Sequence, residues 1–202
     1  MSPEPPVAGN VYDKYGTRNP IARLLMQGFE RAMCELLSRV GRVGSVLEVG
    51  CGEGHLTARL ARLFPEARVV GSDLSPEIIA LARREHPELE FRVGSASHDV
   101  APGAYDLVVA SELLEHVEDP QCVLRAVARA ARHHVFVSVP REPLWRVLNV
   151  MRGRYLRDLG NTPGHVQHWS RGAFERLLCS ELEVVAVRCP LPWTLALCQP
   201  TG

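Results

Sequence analysis

The sequence predicts an α/β fold in which a doubly wound, seven-stranded sheet is mostly parallel and ends in an antiparallel last strand. Short apolar runs alternate along the chain with segments of helical periodicity, which is the pattern that βαβ units produce. One of these runs, residues 105–110, is almost wholly apolar, as expected of a parallel strand covered on both faces. The short link at 190–193 suits a hairpin rather than a helical crossover, so the last strand should be antiparallel.

Each predicted element has a local signal. Asn19-Pro20 begins the first helix, because Asn is a favoured cap and Pro fits the first helical position, and the apolar face continues to Gly41. A strand at 46–49 and a glycine-rich turn come next, followed by a helix that ends near Phe64-Pro65. The remaining predicted elements, in order, are a strand ending at Asp73, a helix capped by Ser75, strands at 90–93 and 105–110, a helix at 120–131, a strand at 135–139, a helix at 173–179 capped by Ser170, and strands at 183–188 and 194–198.

Composition and charge restrict the class of protein. A chain of 202 residues suits a single domain, in which residues 1–10 are proline-rich and expected to be disordered and residues 140–169 form an insert. Basic and acidic residues number 23 each, which argues against nucleic acid as a partner because phosphate binding needs a basic surface. No apolar run approaches the ~20 residues of a membrane span, and the N-terminus lacks a signal-peptide core. We therefore expect a cytoplasmic protein.

The segment from Glu48 to Gly54 has the spacing of a ligand-binding turn. It follows an apolar strand, precedes a helix and reads Glu-x-Gly-x-Gly-x-Gly. Glycine lets the backbone adopt positive φ and approach a ligand closely. A dinucleotide fold requires Gly-x-Gly-x-x-Gly, and the third glycine of that pattern would fall on His55. The spacing therefore argues against a dinucleotide as the cofactor.

This turn closely resembles the first motif of the class I S-adenosylmethionine (SAM) methyltransferases, which have a Rossmann-like fold. In that family the glycine turn passes under SAM, and an acidic residue at the end of the second strand binds the ribose hydroxyls. Asp73 stands at that place in this sequence. A carboxylate there accepts strong, charge-assisted hydrogen bonds from both hydroxyls. The resemblance therefore implies SAM as the cofactor.

The corner after the fourth strand extends the resemblance. Residues 112–120 resemble the same run in quinone-biosynthesis O-methyltransferases, and strand ends at the carboxyl edge of such sheets face the ligand crevice. One position departs from the family: Ser95 stands where an acidic residue usually hydrogen-bonds the adenine amino group, so that contact falls to Ser95 or the Ala96 backbone. The resemblance implies these cofactor residues: Glu48, Gly50, Cys51, Gly52, Gly54, Asp73, Leu74, Ser95, Ala96, Ser111 and Glu112.

Three histidines are candidate catalytic bases, which methyl transfer requires only where the acceptor must lose a proton. His116 follows the fourth-strand corner, and a capping role before the next helix is the competing interpretation. His165 and His168 follow an unusual turn at 160–164, and the resembling families carry a histidine near this position, close to the acceptor pocket. Fixing the turn is their competing role. The sequence shows no strand-end carboxylate cluster of the kind that binds magnesium, so no metal is predicted.

Aromatic residues supply the candidates for acceptor binding. Tyr12 and Tyr15 belong to an N-terminal segment that folds over the cofactor in related methyltransferases; packing on the domain surface is the other interpretation. Trp145 lies in the insert, and Trp169 directly follows His168.

Residues 140–157 of the insert combine an apolar stripe with flanking arginines, and three interpretations compete. As a lid, it would shape the acceptor pocket, as inserts after the fifth strand do in the resembling family. As a basic amphipathic helix on an anionic membrane, it would make the protein peripheral and imply a lipid-like acceptor. As a core-facing helix, it would simply expose its arginines to solvent.

Together these observations predict a SAM-dependent methyltransferase that methylates an oxygen of a small or lipid-like molecule. The preference for oxygen over nitrogen or carbon is implied by the resemblance alone. The alternative is a SAM-binding protein without catalysis, regulatory or scaffolding, and Ser95 favours it. The retained acidic residues and the histidine-bearing lid favour the enzyme.

Overall fold

Helices and strands alternate in the computed structural model, which describes residues 19–96, 99–151, 162 and 164–201. In chain order the elements are α1 (Pro20–Leu37), β1 (Ser45–Val49), α2 (His55–Leu63), β2 (Arg68–Asp73), α3 (Pro76–Glu85), β3 (Glu90–Val93), β4 (Tyr105–Ser111), a 3₁₀ turn (Leu114–His116), α4 (Pro120–Ala130), β5 (Ala131–Pro140), α5 (Leu144–Met151), α6 (Arg171–Leu178), β6 (Leu182–Arg188) and β7 (Trp193–Pro200). Residues 1–18, with Tyr12 and Tyr15, lie outside the described part of the chain.

The seven strands form one sheet in the order β3-β2-β1-β4-β5-β7-β6. The pairs from β3 to β5 are all parallel, whereas β7 runs antiparallel to both β5 and β6. The strand order reverses between β1 and β4, the point at which sheets of this kind bind ligands at their carboxyl edge. The predicted doubly wound, Rossmann-like sheet and its antiparallel last strand are confirmed.

Helices cover both faces of the sheet, and successive strand residues point to opposite faces. On one face, Val46 and Leu107 pack with α1 and α2. On the other face, Leu47 and Val108 pack with α4 and α6. This double coverage explains the nearly continuous apolar character of the central strands.

Most helix starts follow the capping signals in the sequence. The Asn19 side chain accepts hydrogen bonds from the amides of Ile21 and Ala22, and the hydroxyls of Ser75 and Ser170 cap α3 and α6. The prediction for β5 was too short, because the strand begins at Ala131, which pairs with Tyr105 across an irregularity in the ladder. Pairing with β4 thus draws a polar stretch into the strand. Among the described residues, no helix has the length and apolar character needed to cross a membrane.

Candidate active site

The predicted cofactor residues follow three neighbouring parallel strands. The glycine turn follows β1, Asp73 ends β2, and Ser111 ends β4. Because β1 pairs in parallel with both β2 and β4, these three carboxyl ends lie side by side at one edge of the sheet. The topology therefore brings together groups that are separated by about sixty residues of sequence.

The glycine turn is attached to β2 through its backbone. The amides of Gly50 and Cys51 both donate to the carbonyl of Ser72, at 2.8 and 3.0 Å. Gly50, Gly52 and Gly54 all have positive φ, which glycine alone adopts at little cost. A Cβ at Gly50 would lie 2.8 Å from Leu113 Cδ1, whereas a Cβ at Gly52 would meet no described atom within 4 Å. Position 52 is thus the point of the turn that faces open space.

Asp73 is oriented by two backbone amides. Its Oδ2 accepts from the amide of Gly52 at 3.1 Å, and its Oδ1 accepts from the amide of Ser75 at 3.0 Å. The carboxylate therefore ties the glycine turn to the start of α3 and has a fixed direction at the strand end. Leu74, the next residue, is 74% exposed, so an apolar side chain stands at the surface beside this carboxylate.

Glu48 lies fully inside the domain below the turn. The Thr57 hydroxyl donates to its carboxylate, and the carboxyl is 3% exposed. Burial raises the pKa of Glu48 to about 8; the Thr57 hydrogen bond lowers it, and the charge of Asp73 raises it further. Burial, followed by the charges of Glu48 and Asp73, also raises the pKa of the Cys51 thiol. Cys51 is thus an inert, buried thiol rather than a reactive one.

The structure places an acidic side chain beside Ser95 although the sequence has none at that position. The amide of Ser95 donates to Asp99 Oδ2 at 2.7 Å, and the amide of Gly94 donates to the carbonyl of Asp73 at 3.0 Å. Ala96 is buried next to them. Sequence reasoning missed Asp99, since its four-residue displacement from the expected position gives no motif signal.

The corner after β4 is strained and held by β5. Glu112 has a φ of 56°, a conformation uncommon for a residue other than glycine. Its amide donates to the carbonyl of Ser138 at 3.0 Å, and the hydroxyls of Ser111 and Ser138 lie 2.8 Å apart. Backbone strain of this kind is maintained only where surrounding contacts hold it, and it concentrates at functional sites.

Two of the three candidate histidines come together with a buried carboxyl group. The ring centroids of His116 and His165 are 4.9 Å apart in an edge-to-face arrangement, and His116 Nδ1 lies 3.0 Å from the carbonyl of Gly164. The carboxyl of Glu115 is buried beside them, and one ligand atom from each of these three residues lies within 4.8 Å of the others. Two imidazoles and a carboxylate at this spacing are able to move a proton or to hold a divalent cation.

A backbone clamp positions this group, which we call the His116 cluster (Glu115, His116 and His165). The amides of Val166 and Gln167 both donate to the carbonyl of Glu115, at 2.9 and 3.2 Å. The segment before α6 is therefore joined to the 3₁₀ turn after β4, which explains how residues about fifty positions apart share one site. Sequence reasoning missed Glu115 as a member, although the Glu115-His116 dipeptide was a signal for it.

His168 belongs to a different set of contacts. Its Nε2 lies 3.1 Å from Nη2 of Arg146, which also approaches Glu142. Partial burial lowers the pKa of His168; the nearby Arg146 charge lowers it further, and Glu142 opposes both. His168 thus contacts α5, whereas His116 and His165 contact each other.

The two tryptophans predicted to bind the acceptor have different surroundings. Trp145, at the start of α5, stacks on His165 with centroids 6.1 Å apart and also contacts Trp193 at 5.7 Å. Its indole N–H donates to the Thr162 hydroxyl at 2.9 Å. Trp169 instead packs against Phe174 in the core under α6. Of the two, Trp145 is the one that continues the row of rings from the His116 cluster.

Comparison with known proteins gives a consistent set of similarities. A family model described as a methyltransferase domain matches residues 25–181. A ubiquinone biosynthesis O-methyltransferase of Xanthomonas euvesicatoria pv. vesicatoria is 33% identical over 162 residues, covering 76% of this chain and 66% of that protein. One from Xanthomonas campestris pv. campestris is 42% identical over 132 residues, covering 60% and 54%. The chain thus spans between about half and two thirds of the length of these relatives.

Solved structures share the fold at low sequence identity. Magnesium protoporphyrin IX methyltransferase from Synechocystis PCC 6803, with bound SAH, superposes with a TM-score of 0.67 and 18% identity, covering 92% of this chain and 90% of that one. The PH0226 protein from Pyrococcus horikoshii OT3 superposes with a TM-score of 0.71 and 18% identity, covering 95% and 97%. These likenesses concern the arrangement of the sheet and helices.

Proposed function

This chain belongs to the methyltransferase domain family, whose methyl donor is SAM, and on that premise we propose that it methylates an oxygen atom of a small or lipid-like acceptor. The observation that carries the proposal is the His116 cluster, which lies directly after the β4 corner. The names of the curated relatives support oxygen as the methylated atom. Nitrogen and carbon acceptors are the less favoured alternatives.

The residues at the carboxyl edge fit SAM. The backbone at Gly52 faces open space, and the Asp73 carboxylate is held in a fixed direction beside it. We propose that Asp73 binds the ribose hydroxyls and that Leu74, Ser95 and Ala96 contact the adenine. The remaining proposed contacts come from the turn and from the strained corner: Glu48, Gly50, Cys51, Gly54, Ser111 and Glu112.

For methyl transfer, the main task of the protein is to align the acceptor atom with the methyl group. Bound SAM would supply a methyl group on a sulfonium, from which the neutral thioether of S-adenosylhomocysteine leaves readily as the acceptor oxygen bonds to the methyl carbon. Holding the acceptor in line with that methyl group is worth up to roughly 7–11 kcal/mol. We propose that His116 accepts the proton of the acceptor hydroxyl, with His165 and Glu115 orienting its ring, and that Trp145 lines the acceptor side. His168, joined to Arg146, positions the insert in this scheme.

The proposal is tested with a catechol as acceptor. We expect His116→Gln to lower turnover by roughly 10²- to 10⁴-fold while affinity for S-adenosylhomocysteine, measured calorimetrically, stays unchanged. His133→Gln, a change of an exposed histidine on β5, is the matched control and should behave as the wild type. Normal turnover in both His116→Gln and His165→Gln would remove the base from the proposal.

A chelation experiment separates the two chemical roles open to the His116 cluster. If the histidines act as a base, dialysis against EDTA leaves turnover unchanged. If EDTA abolishes turnover and a divalent cation restores it in His55→Gln as well as in the wild type, the His116 cluster holds a metal that lowers the pKa of the acceptor hydroxyl.

Calorimetry with SAM also tests the non-catalytic alternative. A SAM-binding regulator would bind SAM and S-adenosylhomocysteine yet methylate no acceptor in a screen of catechols, phenols and amines. The His116 cluster supports the enzyme, because two imidazoles and a carboxyl group beside the β4 corner are able to move a proton.

A further inference from the structure

A second group of metal-ligating side chains lies outside the proposed active site, behind the glycine turn. His55 is the first residue of α2, Glu85 is the last residue of α3, and His86 directly follows it. One ligand atom from each of the three lies within 4.8 Å of the others. The two helices therefore present two imidazoles and a carboxylate to a common point.

The geometry around His86 indicates that this group is not a completed hydrogen-bond network. Its Nε2 is buried and has no hydrogen-bond partner among the described residues. The rings of His55 and His86 meet nearly at right angles, with centroids 5.7 Å apart. A buried imidazole nitrogen without a partner is costly, and a metal ion would satisfy it.

Charge around the group favours a cation. The carboxylate of Glu85 is exposed, and Glu53 Oε2 lies 3.5 Å from His55 Nε2, which places a second carboxylate next to the site. Imidazole nitrogen is a ligand for zinc, copper, nickel and iron, and two His with one carboxylate form a common zinc ligand set.

We propose that His55, Glu85 and His86 form a binding site for a divalent transition-metal ion of the zinc class, with the Glu53 carboxylate adjoining it beside His55. Ligands at about 2.0–2.2 Å from zinc in a tetrahedron stand about 3.3–3.6 Å from one another, so ligand atoms within 4.8 Å of one another must close by at most about 1.5 Å. Side-chain rotation alone supplies a movement of that size, because Glu85 is at the surface and both histidines are partly exposed.

The position of the site gives the ion a structural role. A Cβ at Gly54 would lie 3.2 Å from Cδ2 of His86 and 2.6 Å from Cζ of Phe91, so His86 packs directly against the last glycine of the turn. An ion held by His55 and His86 would join the start of α2 to the end of α3 across this packing. The site is independent of the proposed acceptor chemistry.

Nuclear magnetic resonance of the histidine rings tests the site in the full chain. The chain has eight histidines, and comparison of the wild type with His55→Gln and His86→Gln assigns the two ring signals of interest. On titration with zinc sulfate, we expect the His55 and His86 signals to shift together and to saturate at one equivalent for this site. Glu85→Gln should weaken this binding by about tenfold or more, since the loss of even a supporting group costs 10- to 100-fold in metal affinity.

The controls separate this site from other zinc ligands in the chain. Glu88→Gln, an exposed carboxylate in the turn after α3, should leave zinc binding unchanged. The His116 and His165 signals report independently on the His116 cluster. Shifts confined to those two signals, or His55 and His86 signals that do not move with zinc, would overturn the proposal; so would unchanged zinc affinity in Glu85→Gln.

Discussion

The two oxygens of the Asp73 carboxylate each accept a hydrogen bond from a backbone amide, one from Gly52 and one from Ser75. The side chain is thereby fixed in direction before any ligand binds, so its contribution to ligand binding is testable by substitution. We expect Asp73→Ala to weaken binding of S-adenosylhomocysteine by roughly 10- to 100-fold, because hydrogen bonds to a charged group are worth about 1.5–3 kcal/mol. Calorimetric titration measures the change. Asp73→Asn keeps one oxygen acceptor, so its affinity should fall between those of the wild type and Asp73→Ala.

Glu77→Gln is the matched control for Asp73, since Glu77 is an exposed carboxylate in the first turn of α3. It should bind the ligand as the wild type does. An Asp73→Ala variant that unfolds like the wild type and binds with unchanged affinity would show that Asp73 does not contact the ribose.

The buried carboxyl of Glu48 predicts a specific dependence of stability on pH. In the folded protein, burial keeps the group protonated up to its pKa of about 8, whereas the unfolded chain releases the proton near the ordinary value of 4.5. Between these values the unfolded state binds fewer protons, so raising the pH favours unfolding. The free energy of unfolding should therefore fall from about pH 5 to about pH 8, by at most about 1.4 kcal/mol per pH unit, and this contribution should level off above.

Urea unfolding of the wild type and of Glu48→Gln across this range measures the effect, because the amide cannot ionise. The difference between the two curves isolates Glu48 from every other titrating group. Parallel curves from pH 5 to pH 9 would mean that the folded protein does not raise the pKa of Glu48.

At the scale of the element, the glycine turn contains two positions with the same backbone requirement and different surroundings. Gly52 and Gly54 both have positive φ, which costs another residue about 1–2 kcal/mol. Only at Gly54 would a Cβ also collide with Phe91, and such overpacking adds about 1–3 kcal/mol. Gly54→Ala should therefore lower the free energy of unfolding by about 2–5 kcal/mol, and Gly52→Ala by about 1–2 kcal/mol.

Affinity for S-adenosylhomocysteine should not follow stability in these two variants: the less destabilised one, Gly52→Ala, should be the one that loses more affinity. The Cβ of Gly52→Ala faces the open space assigned to SAM, so this variant should remain folded and yet lose most of its affinity for S-adenosylhomocysteine. Thermal unfolding and calorimetry on both variants give the comparison. Equal stability losses, or full affinity in Gly52→Ala, would contradict the proposed direction of the turn.

The elements also show which parts of the structure a sequence is able to predict. The central strands and capped helices were predicted correctly because their signals are local: an apolar run, an Asn-Pro start, a serine cap. The early start of β5 was not, because it depends on pairing between Ala131 and Tyr105 across the sheet. For the same reason His116 and His165 are predicted only as separate candidates, whereas their contact and the role of Glu115 depend on the clamp between two distant segments.

At the scale of the whole molecule, the insert is fixed to the sheet at several points. The amide of Arg141 donates to the carbonyl of Pro192 at 2.8 Å, and the amide of Glu142 donates to that of Trp169 at 2.9 Å. Trp145 then packs between Trp193 and His165. The described part of the insert thus connects the antiparallel end of the sheet with the His116 cluster, and Trp145 packs against the core, which disfavours the membrane interpretation of the sequence.

The packing of Trp145 leads to an expectation about membranes. A basic amphipathic helix binds an anionic bilayer by inserting its aromatic and aliphatic side chains. In this protein the Trp145 side chain packs on Trp193 and His165. We therefore expect the protein to remain in the lipid-free fraction when it is floated with phosphatidylserine vesicles at physiological salt. Arg146→Gln tests the electrostatic contribution to vesicle binding. Charge attraction alone would give binding only at low salt, and this variant would weaken that binding. The opposite result would be that the wild type floats with the vesicles at physiological salt and Trp145→Ser does not. That result would assign the insert to the membrane, and a lipid-like acceptor would then be the better choice for the first substrate screen.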